Sequence, residues 1–176
     1  MSRSPHSSVS QRVESLLASA TQSLKTGQPA DAIEPLSDAA LLQPSDAIIQ
    51  HDLGLAYLEV GRISESIAAL KQAVAIDPRF ANAYFRLGMA LEKQGDIGPA
   101  IAYDRATELL PSLTEAWFRA GDLVYTLGHL NEAIACFRQA AATGGKSSFG
   151  RLGKARALLI EDRNQEAELV LRKTLS

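Results

Sequence analysis

Three histidines, one cysteine and two glycine-rich turns are the places where chemistry could start in this 176-residue chain. His6, His51 and His129 lie far apart, and none stands at metal-ligand spacing from another. Cys136 is alone, so the chain has neither an internal disulfide nor a partner thiol for a cysteine-based metal site. "GDIG" at 95–98 and "GGKSSFG" at 144–150 contain the residue types of a phosphate-cradling loop. Such a loop needs a strand before it and Gly-x-x-x-x-Gly-Lys-Ser/Thr spacing, so that backbone N–H groups and the lysine converge on phosphate. Neither stretch follows a predicted strand, and the second lacks the spacing. Gly150, Gly153 and Lys154 echo the motif with the same defect. Carboxylates are scattered over solvent faces, and Cys136, beside Phe137, reads as a small apolar core residue. The expectation is no enzyme, no cofactor and no metal.

The totals narrow the partner class. A net charge of -2 lacks the basic surplus of a nucleic-acid binder. No apolar run is long enough to span a bilayer, because charges and glycines interrupt every segment. The opening MSRSPHSSVSQR has no apolar core of a signal peptide, and residues 1–12 read as a disordered lead-in. The expected location is cytoplasmic.

What must position any binding surface is a repeat. Pro44, Pro78 and Pro111 are spaced by 34 and 33 residues, and Gly27, Gly61, Gly95 and Gly128 by 34, 34 and 33. Ala39, Ala73, Ala106 and Ala140 keep the same period. Each unit reads as helix, turn, helix. In the second, Leu53, Ala56, Tyr57 and Val60 form a stripe that stops at Gly61, where a left-handed backbone costs glycine little. Ser64 is placed to cap the next helix, whose stripe of Ile67, Leu70, Ala73, Val74 and Ile76 ends at Asp77-Pro78. One pair of helices cannot bury both stripes; stacked pairs can. The third unit is one residue short, and the continuous stripe after Pro99 places the loss in the turn "GDIGP". At "AATGGKSSFG" two glycines replace the usual proline, which predicts a looser junction.

The period and pattern resemble the tetratricopeptide repeat family. The second unit carries Leu53-Gly54, Tyr57, Ala73 and Pro78; the third carries Tyr84, Leu87-Gly88, Ala100, Tyr103, Ala106 and Pro111. The fourth has Trp117, Gly121, Ala133, Phe137 and Ala140, and weaker units flank these three. About five tandem repeats cover residues 13–176, with units near 13–46, 47–80, 81–113, 114–147 and 148–176. The resemblance implies an all-α fold, a right-handed superhelical solenoid of antiparallel helix pairs. Gly54, Gly88, Gly121 and Ala155 share one offset, where paired helices approach closely.

The resemblance also implies a concave groove lined by the first helix of each pair, binding a peptide or helix of a partner protein. Residues not spent on the repeat pattern fall there: His51, Leu55 and Leu58 from the second unit, and Asn82, Phe85, Arg86 and Met89 from the third. Phe118, Arg119, Asp122 and Tyr125 come from the fourth, and Arg156 from the last. The aromatics and Met89 read as free for contact, with Arg86, Arg119 and Arg156 as a rim for acidic residues. Some family members clamp a chaperone's C-terminal carboxylate with Lys and Asn. Those positions hold Leu17, Thr21 and Asp52 here, and only Asn82 and Arg86 have any likeness to the set. The expected function is an interaction scaffold. The alternatives are the N-terminal module of a bacterial sulfotransferase or glycosyltransferase, and a homo-oligomer formed through the groove or final helix. Leu169, Val170 and Leu175 on that helix read as a face awaiting a successor, blunted by Arg172 and Lys173.

Overall fold

Apolar residues three and four apart, interrupted by glycine or proline turns, give ten helices and no strand among the described residues. The structure is a computed structural model that describes residues 5–95 and 98–175, with side chains over 8–95 and 98–172. In order the helices are α1 (Pro5–Lys25), α2 (Pro29–Leu42), α3 (Ala47–Glu59), α4 (Ile63–Ile76) and α5 (Ala81–Gln94). They continue as α6 (Pro99–Leu109), α7 (Thr114–Thr126), α8 (Leu130–Gly144), α9 (Ser148–Ile160) and α10 (Asn164–Leu175). This is an all-helical stack of antiparallel helix pairs. The chain divides into two compact units, residues 1–97 and 98–176.

In the first unit, α1 packs on α2, α2 on α3, α3 on α4 and α4 on α5, while α3 also touches α5. Ala20, Ala32, Leu36, Leu53, Ala56 and Ala69 form the core, with Leu17, Leu24, Ile33 and Tyr57 against it. The small residues let the backbones approach. A Cβ on Gly54 would stand 2.6 Å from Leu70 Cγ, so only glycine admits α4 at this crossing. The Gly54 carbonyl then accepts a 2.7 Å hydrogen bond from the buried Ser66 hydroxyl, which satisfies a polar group that would otherwise cost stability. Asp46 caps α3, accepting from the N–H groups of Ile48 and Ile49 and contributing about 1 kcal/mol.

The second unit repeats the scheme: α6 on α7, α7 on α8, α8 on α9, α9 on α10, with α7 also against α9. Its core is Phe118, Ala133, Phe137, Ala140 and Ala157. Gly121 plays the part of Gly54, since a Cβ there would meet the Phe137 ring at 2.8 Å. Trp117 packs on the same core and donates its indole N–H to the Pro111 carbonyl at 2.9 Å. Pro99 starts α6, where its missing N–H leaves no gap.

Three expectations need adjusting, and a fourth falls partly outside the described residues. Residues 5–12 belong to α1 rather than to a disordered lead-in, and Val13 is buried with Ala39 and Ile49; residues 1–4 lie outside the described set. Ser64 is inside α4: the cap position is Arg62, whose guanidinium pairs with Glu65 instead of a hydroxyl capping the helix. The shortened turn of the third unit lies partly outside the described residues, at 96 and 97. Finally, the Gly144-Gly145 junction is close-packed. A Cβ on Gly144 would stand 2.7 Å from Gly150 Cα, and the hydroxyls of Thr114 and Thr143 meet at 3.1 Å beside it.

Candidate functional site

First helices carry one apolar flank inward and leave the other outward, and each unit presents its own outward face. In the first unit, Ile48, His51, Asp52 and Leu55 stand one helical turn apart on α3, and Asn82, Arg86 and Met89 do so on α5. Asn82 is exposed, and Leu55, Arg86 and Met89 are half-buried. His51 lies mostly buried, its ring 4.9 Å from that of Phe80 and its Nδ1 2.9 Å from the Asp52 carboxylate; its Nε2 has no hydrogen-bond partner among the described residues. The Arg86 guanidinium spreads 5.4 Å from the Phe85 ring centroid and reaches Met89 Sδ at 3.5 Å. It forms no ion pair among the described residues. Ile48, 63% exposed, is a member of this face that the repeat pattern did not single out. Its signal was the spacing of three and four residues from His51 and Asp52.

In the second unit, Glu115, Arg119, Asp122 and Tyr125 run along α7 beside Arg156 of α9. Arg119 donates to Glu115 at 3.0 Å, and Arg156 reaches Asp122 at 3.2 Å. The expected basic rim is therefore neutralised here by carboxylates one turn away or on the neighbouring helix. Tyr125 is exposed, and with Arg156, Leu159 and Ile160 it lines a small hollow of about 120 Å³.

Three expected contact residues are core residues. Phe118 is only 9% exposed, and its ring lies 5.6 Å from that of Phe137 and 5.5 Å from that of Phe149. Phe85 is 3% exposed, and Leu58 is buried as well. The physical reason is that α3 packs against α5, and α7 against α9, as well as against second helices, so the buried stripe of these first helices is wider than the repeat pattern marks.

Other candidates resolve into structure. Among the described residues no group of three or more His, Cys, Asp or Glu could hold a metal ion. Burial, then the carboxylates of Asp104 and Glu132, push the Cys136 thiol above its ordinary range, which disfavours the thiolate. In "GGKSSFG", Ser147 caps α9 by accepting from the Gly150 N–H. No described helix is long and apolar enough to cross a membrane.

Family models match two stretches of the sequence that builds these helices. Residues 56–95 match the model described as TPR repeat, and residues 114–142 that described as tetratricopeptide repeat. The chain carries tetratricopeptide repeats. Its ten helices are consistent with about five repeats, and repeat proteins of this kind typically serve protein–protein interaction. The tetratricopeptide repeat chain is 32% identical over 57% of its length to the small glutamine-rich tetratricopeptide repeat-containing protein 2 of Mycosarcoma maydis, covering 29% of that relative. A crystal structure of MamA superposes with a TM-score of 0.72 at 28% identity, over 76% of this chain and 79% of that one. The first repeat domain of Spaghetti, solved bound to an HSP90 peptide, superposes with a TM-score of 0.64 at 21% identity, over 67% and 94% of the two chains. The chain spans less than a third of the length of the curated relatives it matches.

Proposed function

We propose that this tetratricopeptide repeat chain is a non-catalytic interaction module that holds an acidic segment of a partner protein against the outward face of α3 and α5. The observation that carries this reading is Arg86. It is a cation without a carboxylate among the described residues, spread on Phe85 between exposed Asn82 and the adaptable thioether of Met89. A guanidinium so placed offers paired N–H donors to a carboxylate, and Asn82 adds a neutral donor one turn away. Asp52, the nearest acid on α3, is engaged by His51. The Spaghetti domain, which shares the fold, carries a bound peptide, and that supports the class of ligand.

Fluorescence anisotropy with a labelled peptide rich in Asp, Glu and Met tests this. Arg86→Ala is expected to weaken binding about tenfold, the loss of one charge-assisted contact, with helicity unchanged. Equal affinity in the variant would remove α3 and α5 as the binding face.

A further inference from the structure

At one edge of the first unit, the α2–α3 and α4–α5 connections surround an open cavity of about 540 Å³, lined by Pro44, Asp46, Ile48, Ile76 and Asp77 among others. One exposed large apolar side chain, Ile48, lines it, and two more, Leu41, 82% exposed, and Leu42, end α2 and immediately precede its first lining residue in sequence. They are three of the four large apolar residues of the first unit that are exposed among those described, and they fall within eight residues of sequence. Scattered exposed leucines are ordinary on a protein surface, but a cluster around a concavity marks an interaction site.

In the two connections the acids Asp46 and Asp77 outnumber the one cation, Arg79. Asp46 and Asp77 both line the cavity. Gln43 and Asp77, its other cap residues, terminate α2 and α4, and neither helix has a basic residue in its last turn. The negative ends of both helices thus add to the two carboxylates. Asp46 offsets the positive end of α3 by capping it, and the Asp77 carboxylate accepts the backbone N–H of Arg79. The Arg79 side chain, the nearest cation in sequence, forms no ion pair among the described residues.

We infer that this edge is a second docking surface, which takes a partner segment presenting an apolar side chain beside a lysine or arginine. The apolar group fills the space between Ile48, Ile76 and Pro44, with Leu41 and Leu42 adjoining in sequence, and the cation meets Asp77 and the carbonyl end of α4. This surface differs in charge preference from the α3–α5 face, with which it shares Ile48 but neither Asn82, Arg86 nor Met89.

The test is a titration of the isotope-labelled full chain, followed by amide NMR shifts, with a synthetic amphipathic Leu/Lys helix peptide and its Leu/Glu counterpart. The Leu/Lys peptide is expected to shift amides of residues 41–48 and 76–79 and to bind about tenfold more tightly than the Leu/Glu peptide. Leu41→Ser combined with Asp77→Asn should weaken it by roughly tenfold or more at unchanged helicity, since both side chains are exposed. Arg86→Ala should leave it unchanged. Equal affinity for the two peptides, shifts confined to other residues, or occupation of these amides by a second copy in a concentration-dependent dimer would each overturn the assignment.

Discussion

Gly144 of α8 and Gly150 of α9 approach so closely that a Cβ on Gly150 would stand 2.6 Å from the Gly144 carbonyl carbon. The neighbour is backbone, which cannot rotate away as a side chain could. Alanine would improve helix propensity by up to about 1 kcal/mol, but overpacking at such a crossing costs about 1–3 kcal/mol. Gly150→Ala should therefore lower stability by roughly 1–2 kcal/mol net, read as a reduced urea midpoint. A midpoint equal to the parent's would mean that the junction can open at little cost.

Phe118 touches Phe137 and Phe149 at ring distances of 5.6 and 5.5 Å, so it links α7 to both α8 and α9. Truncation to alanine leaves a ring-sized void. Phe118→Ala is expected to cost about 3 kcal/mol or more, while Arg86→Ala, on the surface, should stay within about 0.5 kcal/mol of the parent. Thermal unfolding of both variants checks the contrast. A binding defect in a Phe118 variant then reports lost folding, and a defect in an Arg86 variant reports lost contact.

The repeat was legible because its signals are backbone requirements. Gly27, Gly61, Gly95 and Gly128 all have φ between 72° and 84°, and the corresponding place in the last unit is taken by Asp162 at φ 60°. Aspartate tolerates that conformation because its short polar side chain bonds locally, here accepting from Asn164 at 2.9 Å. Gly54 and Gly121 were legible for the same reason: a side chain there would strike Leu70 or Phe137. The outward face was read less well. Whether Phe118 is contact surface or core depends on the Phe149 ring from the next unit, and whether Arg156 is free depends on Asp122 of the preceding helix pair. Those are contacts between successive repeats, which a pattern read within one repeat does not contain.

Asp104 gives a pH dependence with a definite sign. Partial desolvation, then the neighbouring carboxylates of Glu108 and Glu132, hold its carboxyl above the ordinary range in the folded chain. The folded state therefore keeps the proton more tightly than the unfolded state does. Stability from this group is complete below the unfolded value near 3.8 and falls as pH rises through the folded one. Asp104→Asn should raise the urea midpoint at pH 7 and leave it unchanged at pH 3. A variant no more stable than the parent at pH 7 would show that solvent screens the repulsion.

The pairing of Arg156 with Asp122 yields a gain-of-function prediction. The two meet at 3.2 Å across α7 and α9 with both side chains about half-exposed, so the pair itself contributes no more than about 1 kcal/mol. Asp122→Asn keeps the shape, removes the carboxylate and leaves the Arg156 cation beside Tyr125 and Leu159. If acidic segments are what the outward faces take, the same Asp/Glu/Met peptide should bind roughly threefold more tightly, through faster association at low salt. The unfolding midpoint should barely move. Anisotropy at low and high salt separates the outcomes: a gain that vanishes with salt supports an electrostatic contact with Arg156. No gain at low salt would leave Arg156 a structural residue, tied down by its position over the Phe137 ring at 5.9 Å.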